Sequence, residues 1–161
     1  MDRRRLIVEL EALYRNRYRQ FLRVAIAVVR DETAAHDVVQ EGFARAIKSA
    51  DSYRGDGTLE AWLWHVVLNT ARAARRDAPA GPLADETLGA VNGRSIEDDT
   101  GLRTWIAALP ERQRLAIFLR YYADLDYRSI ASALGVEIGT VSATLSTAHA
   151  ALRRSLKEVS Q

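Results

Sequence analysis

The chain has 161 residues with a formal net charge of +2, and 48% of its residues are hydrophobic while 27% are charged. This composition is typical of a globular protein with one or two small domains, and it argues against a disordered or fibrous chain. The absence of cysteine excludes disulfides and thiolate metal sites. The longest apolar runs, such as "VAIAVV", are far too short to span a bilayer. We therefore expect a cytoplasmic protein without membrane insertion.

The small net charge conceals three segments of different sign. Residues 1–76 carry 14 Lys and Arg against 10 Asp and Glu, residues 77–100 carry one against six, and residues 101–161 carry eight against five. The acidic segment also holds two of the three prolines and has no sustained apolar period. These features predict two basic lobes, 1–76 and 101–161, joined by an acidic flexible linker at 77–100.

The first lobe carries three helical patterns. An amphipathic pattern predicts a first helix that ends near Val29, and "RDET" then offers Asp31 or Thr33 as the N-cap of a second. We expect the apolar side of the second helix to include Ile47. The loop "DSYRGDG" is rich in turn residues, and Thr58 is suited to cap a third helix, "LEAWLWHVVLNTARAARR".

The second lobe is also predicted to be helical. A short helix should stop before Pro110, and a further helix follows from Glu111 to about Tyr122. Two helices split at "LGVEIG" then form a helix-turn-helix pattern. The core-facing residues of its last helix are expected to be Val141, Leu145, Ala148, Leu152 and Leu156. No segment alternates with period two, so the chain is predicted to be all-α.

Polar residues line one side of the second and of the third helix in the first lobe. On the second helix they are Asp37, Gln40, Glu41 and Lys48, with the small Ala44 in the same stripe, and spacing alone does not distinguish this stripe from a solvated face. On the third they are His65, Asn69, Arg72 and Arg76, with Arg75 beside them. Trp62 and Trp64 are two positions apart, so at least one should lie near the surface. Cations beside exposed rings suit a nucleic-acid strand, but cations at a helix C-terminus also favour the helix dipole.

Two stretches resemble a known family when they are taken together. "HDVVQEGFARAIKSADSYRGDGTLEAWLWHVVLNTARAARR" resembles the second conserved domain of the bacterial extracytoplasmic-function (group IV) sigma factors of RNA polymerase. "LPERQRLAIFLRYYADLDYRSIASALGVEIGTV" resembles their fourth domain. The resemblance implies a sigma-2-like helical bundle at 1–76 and a sigma-4-like helix-turn-helix domain at 101–161. It further implies a non-enzymatic initiation factor without cofactor or metal, whose partners are promoter DNA and core RNA polymerase, through its β′ clamp helices and β subunit. An anti-sigma factor is a further candidate partner.

The same resemblance assigns roles to individual residues. The residues assigned to polymerase binding are Asp37, Gln40, Glu41 and Lys48. The residues assigned to capture and opening of the promoter −10 element are Ser52, Tyr53, Arg54, Trp64, His65, Asn69, Arg72, Arg75 and Arg76. The residues assigned to the −35 element are Arg112, Arg128, Thr140, Ser142, Ala143, Thr144, Ser146, Thr147 and Arg153, with Arg114 as a further flanking cation.

The last helix of the helix-turn-helix, which the resemblance makes the DNA-recognition helix, departs from the family pattern. Family members continue "GTV" with several Lys and Arg residues, whereas residues 129–152 contain neither. We expect weak docking that reads DNA shape or thymine methyl groups while the polymerase holds the helix in place.

Other interpretations remain open. A sigma-like protein that binds polymerase or an anti-sigma factor with weakened promoter recognition is one, and a plain helical hairpin in the second lobe is another. An enzyme is disfavoured because three histidines lie on separate helices without a catalytic motif. A repressor that acts without polymerase would leave the first lobe without a role.

Overall fold

The computed structural model describes residues 2–77 and 100–160, and these residues form seven α-helices and no strand. The helices are α1 (Arg3–Val29), α2 (Glu32–Lys48), α3 (Leu59–Asp77), α4 (Thr100–Ala108), α5 (Glu111–Tyr121), α6 (Tyr127–Leu134) and α7 (Ile138–Ser160), with a 3₁₀ turn at Ala50–Ser52. The all-α prediction is confirmed. Nearly all of the predicted linker at 77–100 lies outside the described residues.

The first lobe is a three-helix bundle of α1, α2 and α3 around an aromatic core. The rings of Phe21 and Trp64 stack with their centroids 4.0 Å apart, and Phe43 meets Phe21 edge-on at 5.2 Å. At Gly42, α2 and α3 approach so closely that an added Cβ would lie 3.0 Å from Val67 Cγ2. This packing fixes the position of α3 against the other two helices.

Local sequence signals explain where these helices begin. Asp31 caps α2 by accepting a hydrogen bond from the Ala34 N–H at 2.7 Å, and Thr58 Oγ1 accepts one from the Ala61 N–H at 3.1 Å. Both residues were predicted as N-caps, and of the two candidates before α2 the structure uses Asp31. The prediction that Ile47 faces the core is wrong. Its side chain is exposed because it borders an open groove between α1 and α2.

The second lobe contains the predicted helix-turn-helix. Asp126 Oδ1 accepts a hydrogen bond from the Ser129 N–H at 2.8 Å at the start of α6, and Gly135 ends α6 with φ +69°. A positive φ favours glycine at this position because it has no Cβ. α6 and α7 then meet at a bend of 100°. An aspartate cap and a glycine thus mark the start and the end of α6.

The core-facing prediction for α7 is correct only for its first half. Val141, Leu145 and Ala148 are buried, whereas Leu152 is half-buried and Leu156 is 57% exposed. α7 has 23 residues and therefore extends about 34 Å, well beyond the shorter helices that cover its first turns. Its last turns consequently have little of the lobe to pack against.

Arg114 in α5 has a structural position that its sequence does not suggest. Only 2% of the residue is exposed, and its Nη1 donates to the carbonyl oxygens of Ala107 and Leu109, each at 3.2 Å. Burial and the nearby Arg30 guanidinium lower the pKa of Arg114 below its ordinary value. The expectation that Arg114 makes a flanking DNA contact is therefore wrong, because the side chain joins α4 to α5 inside the lobe.

The two lobes touch each other in the structure: α3 packs against α6, and α1 packs against α5. Within the ranges 2–77 and 100–160, no single helix is long and apolar enough to cross a membrane. Only α6 and α7 taken together reach that length and composition, and they are separated by the sharp bend of the helix-turn-helix.

Candidate functional site

The predicted polymerase-binding residues share the outer surface of α2. Asp37, Gln40, Glu41 and Lys48 are all exposed. Glu41 accepts a hydrogen bond from Arg45 Nη2 at 2.6 Å, one turn along the helix, and both side chains remain exposed to solvent.

An apolar groove of about 510 Å³ runs beside this surface, between α1 and α2. Gln40 and Ile47 line its α2 side, while Ile7, Leu10 and Tyr14 line its α1 side. The contribution of α1 residues to this groove was not predicted from the sequence. The signal was the pair Leu6 and Ile7, since adjacent residues on a helix cannot both face the same core; Leu6 is buried and Ile7 is only half-buried.

The loop between α2 and α3 brings an aromatic pair to the start of α3. Tyr53 OH donates to the Gly57 carbonyl oxygen at 2.6 Å, which anchors the loop, and its ring centroid lies 5.7 Å from that of Trp62. Both rings are half-buried, while the predicted neighbours Ser52 and Arg54 are exposed. A flat ring with one open face can stack on an unpaired base.

The assignment of Trp64 to the −10 contacts is corrected by its burial. Its side chain is 0% exposed because it stacks on Phe21 in the core, and it has no open face for a base. The expectation that at least one of the two tryptophans lies near the surface is met by Trp62, which is half-buried. Trp62 is therefore the aromatic candidate on α3.

The polar residues of α3 follow its surface in the predicted order. Asn69 Nδ2 donates to His65 Nε2 at 3.0 Å, so Nε2 is the acceptor and Nδ1 carries a proton. That Nδ1 lies 3.2 Å from the Ala133 carbonyl oxygen in the second lobe, the right partner for a donor. The hydrogen bonds on either side of the ring thus agree on one tautomer and hold His65 between the lobes.

The three arginines at the end of α3 differ in their surroundings. Arg75 Nη1 donates to Glu111 Oε2, and Arg72 Nε lies 3.8 Å from Glu111 Oε1. Arg76, one residue further, is exposed. One carboxylate of the second lobe therefore faces two of the three cations that were assigned to DNA.

The predicted −35 residues lie along the outer side of α7. Ser142, Ala143, Ser146 and Thr147 are exposed, and Thr140 and Thr144 are half-buried. The Thr147 hydroxyl donates to the Ala143 carbonyl oxygen at 3.0 Å, so part of its hydrogen-bonding capacity is used within the helix. Over these turns the surface offers hydroxyl groups and small apolar groups, without a cation.

Cations appear at the far end of the same helix face. Arg153, Arg154 and Lys157 line a shallow depression together with Ser146 and Thr147. Arg153 begins about 10 Å beyond Ser146 along the helix axis. Arg112 and Arg128, the other predicted −35 cations, are exposed at the start of α5 and of α6.

The histidines stay apart, as their separate helices suggested. His36 contacts Tyr18 OH at 2.5 Å and His149 contacts Tyr121 OH at 2.8 Å. Neither histidine shares a hydrogen-bond partner with His65. In the part of the chain that the structure describes, no three His, Asp or Glu side chains are grouped so as to hold a metal ion.

Comparisons with known proteins address both lobes. Residues 13–79 match the family model of Sigma-70 region 2, and residues 101–152 match that of Sigma-70 region 4. The chain is 32% identical to the ECF RNA polymerase sigma-E factor of Escherichia coli over 135 residues, 72% of this chain and 70% of that protein. It is 30% identical to RNA polymerase sigma factor SigV of Bacillus subtilis over 129 residues, 78% and 77% of the two chains. The chain belongs to the extracytoplasmic-function sigma factors of the sigma-70 family.

Solved structures agree with the fold of this sigma factor. CnrH in complex with the cytosolic domain of CnrY is 23% identical, with a TM-score of 0.72 over 98% of this chain and 99% of that chain. The sigma factor RpoE of Bartonella quintana in complex with the anti-sigma factor NepR is 24% identical, with a TM-score of 0.65 over 96% and 95%. Both likenesses support two helical lobes in this order.

Family membership settles the general class of function. Sigma factors are non-enzymatic regulators of transcription initiation, and membership implies binding to RNA polymerase and to DNA. The region 2 match of this sigma factor contains the groove residues of α2 and the whole of α3, and the region 4 match contains the helix-turn-helix.

Proposed function

We propose that this sigma factor directs promoter-specific initiation by binding core RNA polymerase, opening the −10 element and contacting the −35 element. In this proposal residues 1–76 bind polymerase and the −10 element, residues 77–100 link the lobes, and residues 101–161 contact the −35 element. The protein acts in the cytoplasm, where its polymerase is.

The observation that carries the proposal is the pairing of rings and cations on one firmly supported helix. Trp62 lies in the first turn of α3 and pairs with Tyr53 of the preceding loop, while Arg72, Arg75 and Arg76 lie in the last two turns. Opening a duplex costs a few kcal/mol for each unstacked step, and stacking on a ring recovers roughly 1–3 kcal/mol per base. Arginines farther along the helix attract the phosphates of the same strand. Because α3 is packed against the core through Trp64, its surface groups are carried on a rigid support.

The second surface needed is one for the polymerase, and α2 supplies it away from α3. The groove between α1 and α2 has an apolar floor, with Gln40 and Ile47 on one side. Asp37 and Lys48 stand exposed on the same helix. An apolar groove with a polar rim suits an amphipathic helix of a partner, and we assign it to the β′ clamp helices. The second lobe contacts the β subunit.

The −35 contact is the weaker of the two DNA contacts. Hydroxyl groups from Thr140 to Thr147 read the major groove without a cation nearby, while Arg112, Arg128 and Arg153 reach flanking phosphates. Binding of both lobes to one polymerase raises the effective concentration of each DNA contact, so a weak contact suffices.

A pair of double variants tests this division. Arg72→Ala with Arg76→Ala should lower open-complex formation, measured by permanganate reactivity of the promoter, by roughly tenfold or more, because phosphate contacts are lost. Its affinity for core polymerase should change by about twofold at most, because neither residue lines the groove between α1 and α2 that we assign to polymerase. Asp37→Ala with Gln40→Ala should do the reverse, weakening polymerase binding first. An equal loss of both activities in both variants would overturn the assignment.

A second function is favoured by one observation, the absence of Lys and Arg from residues 129–152. It is a sigma-like protein that binds polymerase or an anti-sigma factor but recognises promoters inefficiently. Binding to core polymerase without specific transcripts from any −35/−10 template would favour this second function over the first.

A further inference from the structure

The face of α3 that we assign to the −10 strand is partly covered by the second lobe. Glu111, at the start of α5, forms ion pairs with both Arg72 and Arg75. About two turns before Arg72 on α3, His65 donates to the Ala133 carbonyl oxygen at the end of α6. His65 Cε1 also lies 3.6 Å from the position of a Cβ on Gly135, so the glycine turn of the helix-turn-helix is against it.

A further contact joins the lobes outside α3. The Arg23 guanidinium of α1 lies 4.0 Å from the centroid of the Tyr122 ring, which follows α5. A cation over an aromatic face is attracted by the negative potential of the ring. Three separated contacts, at Glu111, at Ala133 with Gly135 and at Tyr122, therefore hold the second lobe in one orientation on the first.

We propose that this contact is an intramolecular lock in which Glu111 occupies the position of a DNA phosphate between Arg72 and Arg75. The inference rests on the proposed −10 function of α3. In the free protein the second lobe competes with the −10 strand for the same arginines. The strand gains them only when the lobes separate, as they must when the two lobes engage two promoter elements on polymerase.

The chemistry of Glu111 suits this role. A carboxylate presents two anionic oxygens to arginine guanidinium groups, as a phosphate does, so the two ligands exclude each other. Glu111 lies in the first turn of α5, where the helix dipole favours a negative charge, and it keeps that position when α3 leaves. The carboxylate is therefore stable in both states of the protein.

The contact is also suited to opening. The side chains of Arg72, Arg75 and Glu111 keep 34–37% of their exposure, so solvent screens their attraction and a larger partner can separate them. Asn69 and Arg76 stay exposed beside the covered residues. Free protein should consequently bind a −10 strand weakly rather than not at all.

The test compares Glu111→Gln with a matched variant, Glu158→Gln. Both remove one negative charge from the second lobe, but Glu158 is exposed near the end of α7 and forms no ion pair with any described residue. Because the chain has no cysteine, Ala12→Cys and Ser142→Cys place one spin label on each lobe at exposed sites. Pulsed electron paramagnetic resonance then measures the distance between the lobes in the complete protein. Fluorescence anisotropy of unlabelled protein measures its affinity for a single-stranded oligonucleotide with a −10-type sequence.

The lock predicts that Glu111→Gln broadens the distance distribution and raises oligonucleotide affinity by about three- to tenfold, while Glu158→Gln leaves both close to wild type. An unchanged distance distribution in Glu111→Gln would overturn the lock, and so would a broader one without a gain in affinity. An equal gain in both variants would show general charge repulsion and would overturn it as well. The −10 function itself is tested separately, by the open complexes of Arg72→Ala with Arg76→Ala in the presence of polymerase. Failure of one test thus leaves the other informative.

Discussion

The two helices that we assign to promoter contacts, α3 and α7, are opposite in chemistry. α3 carries cations and an aromatic partner on its outer face and is supported from behind by the stacked rings of Phe21 and Trp64. α7 presents hydroxyl and methyl groups, and its cations begin only at Arg153. Most of the affinity for DNA is thus expected in the first lobe, while the second lobe supplies a weak contact that depends on polymerase. A sigma factor with only one strongly cationic DNA-binding helix should depend more on RNA polymerase for promoter binding than one with two.

The two tryptophans of α3 are expected to have different roles, Trp64 in the core and Trp62 at the surface. Trp64→Ala should lower the free energy of unfolding by about 3–5 kcal/mol, because it opens a cavity beside Phe21. Trp62→Ala should change it by about 1 kcal/mol or less, since its ring is only half-buried, but it should reduce open-complex formation. Urea denaturation followed by circular dichroism measures the first effect. Similar losses of stability in both variants would contradict the support that we assign to Trp64.

Two glycines differ in the space around them, Gly42 where α2 packs closely against α3 and Gly139 on the open side of α7. Gly42→Ala should destabilise the protein by about 1–3 kcal/mol, because its Cβ would lie 3.0 Å from Val67. A Cβ added at Gly139 on α7 would meet no atom within 4 Å. Gly139→Ala should therefore stabilise the protein by about 0.5–1 kcal/mol through helix propensity. Thermal unfolding of the two variants gives opposite shifts in Tm, and a shift of the same sign in both would contradict this packing.

The cap of α6 tests how the second lobe is held together. Asp126→Ala should cost about 1 kcal/mol at neutral pH, and Asp126→Asn less, because asparagine can still accept from the Ser129 N–H. Hydrogen bonds from Ser129 lower the pKa of Asp126 below its ordinary value. The contribution of the charge is therefore complete above the pKa of the unfolded state and is lost as the pH falls through the lower pKa of the folded state. Unfolding experiments should show the wild type and Asp126→Asn converging in acid; a constant difference at all pH values would exclude this cause.

A cation added to the outer face of α7 should have a modest effect on DNA binding. Ala143→Arg should raise the affinity for a −35 duplex about threefold at low salt and make the slope of log K against log salt steeper by about 0.9. Ala12→Arg, the same change on exposed α1, is the control and should change neither value. If Ala143→Arg leaves the salt dependence unchanged, the outer face of α7 does not face phosphates.

Sequence reasoning predicted what is decided locally. Asp31 and Thr58 predict helix starts because their side chains accept hydrogen bonds from backbone N–H groups within the same turn. Gly135 predicts the turn between α6 and α7 because its own backbone takes a positive φ. The order of polar residues along α3 and α7 followed from helical spacing alone. The charge pattern and the acidic segment at 77–100 divided these elements into two lobes, and the family resemblance then assigned a domain type to each lobe.

The errors concern residues whose surroundings come from distant parts of the chain. Trp62 and Trp64 are equivalent by composition, and only the packing of three helices decides that Trp64 meets Phe21, 43 residues before it. Arg114 looks like a surface cation until α4 brings two carbonyl oxygens to it. The pair of Arg75 and Glu111 joins the two lobes, and no local pattern announces such a contact.

Transcription in a purified system is the decisive experiment for the proposal that two weakly binding lobes act at a promoter because RNA polymerase holds both of them. Run-off transcription would use core polymerase, genomic promoter fragments and the purified chain, omitting each component in turn. The proposed function predicts specific transcripts only when core polymerase and the chain are both present, and no strong retardation of duplex DNA by the chain alone. A chain that neither associates with core polymerase nor yields a specific transcript would contradict it.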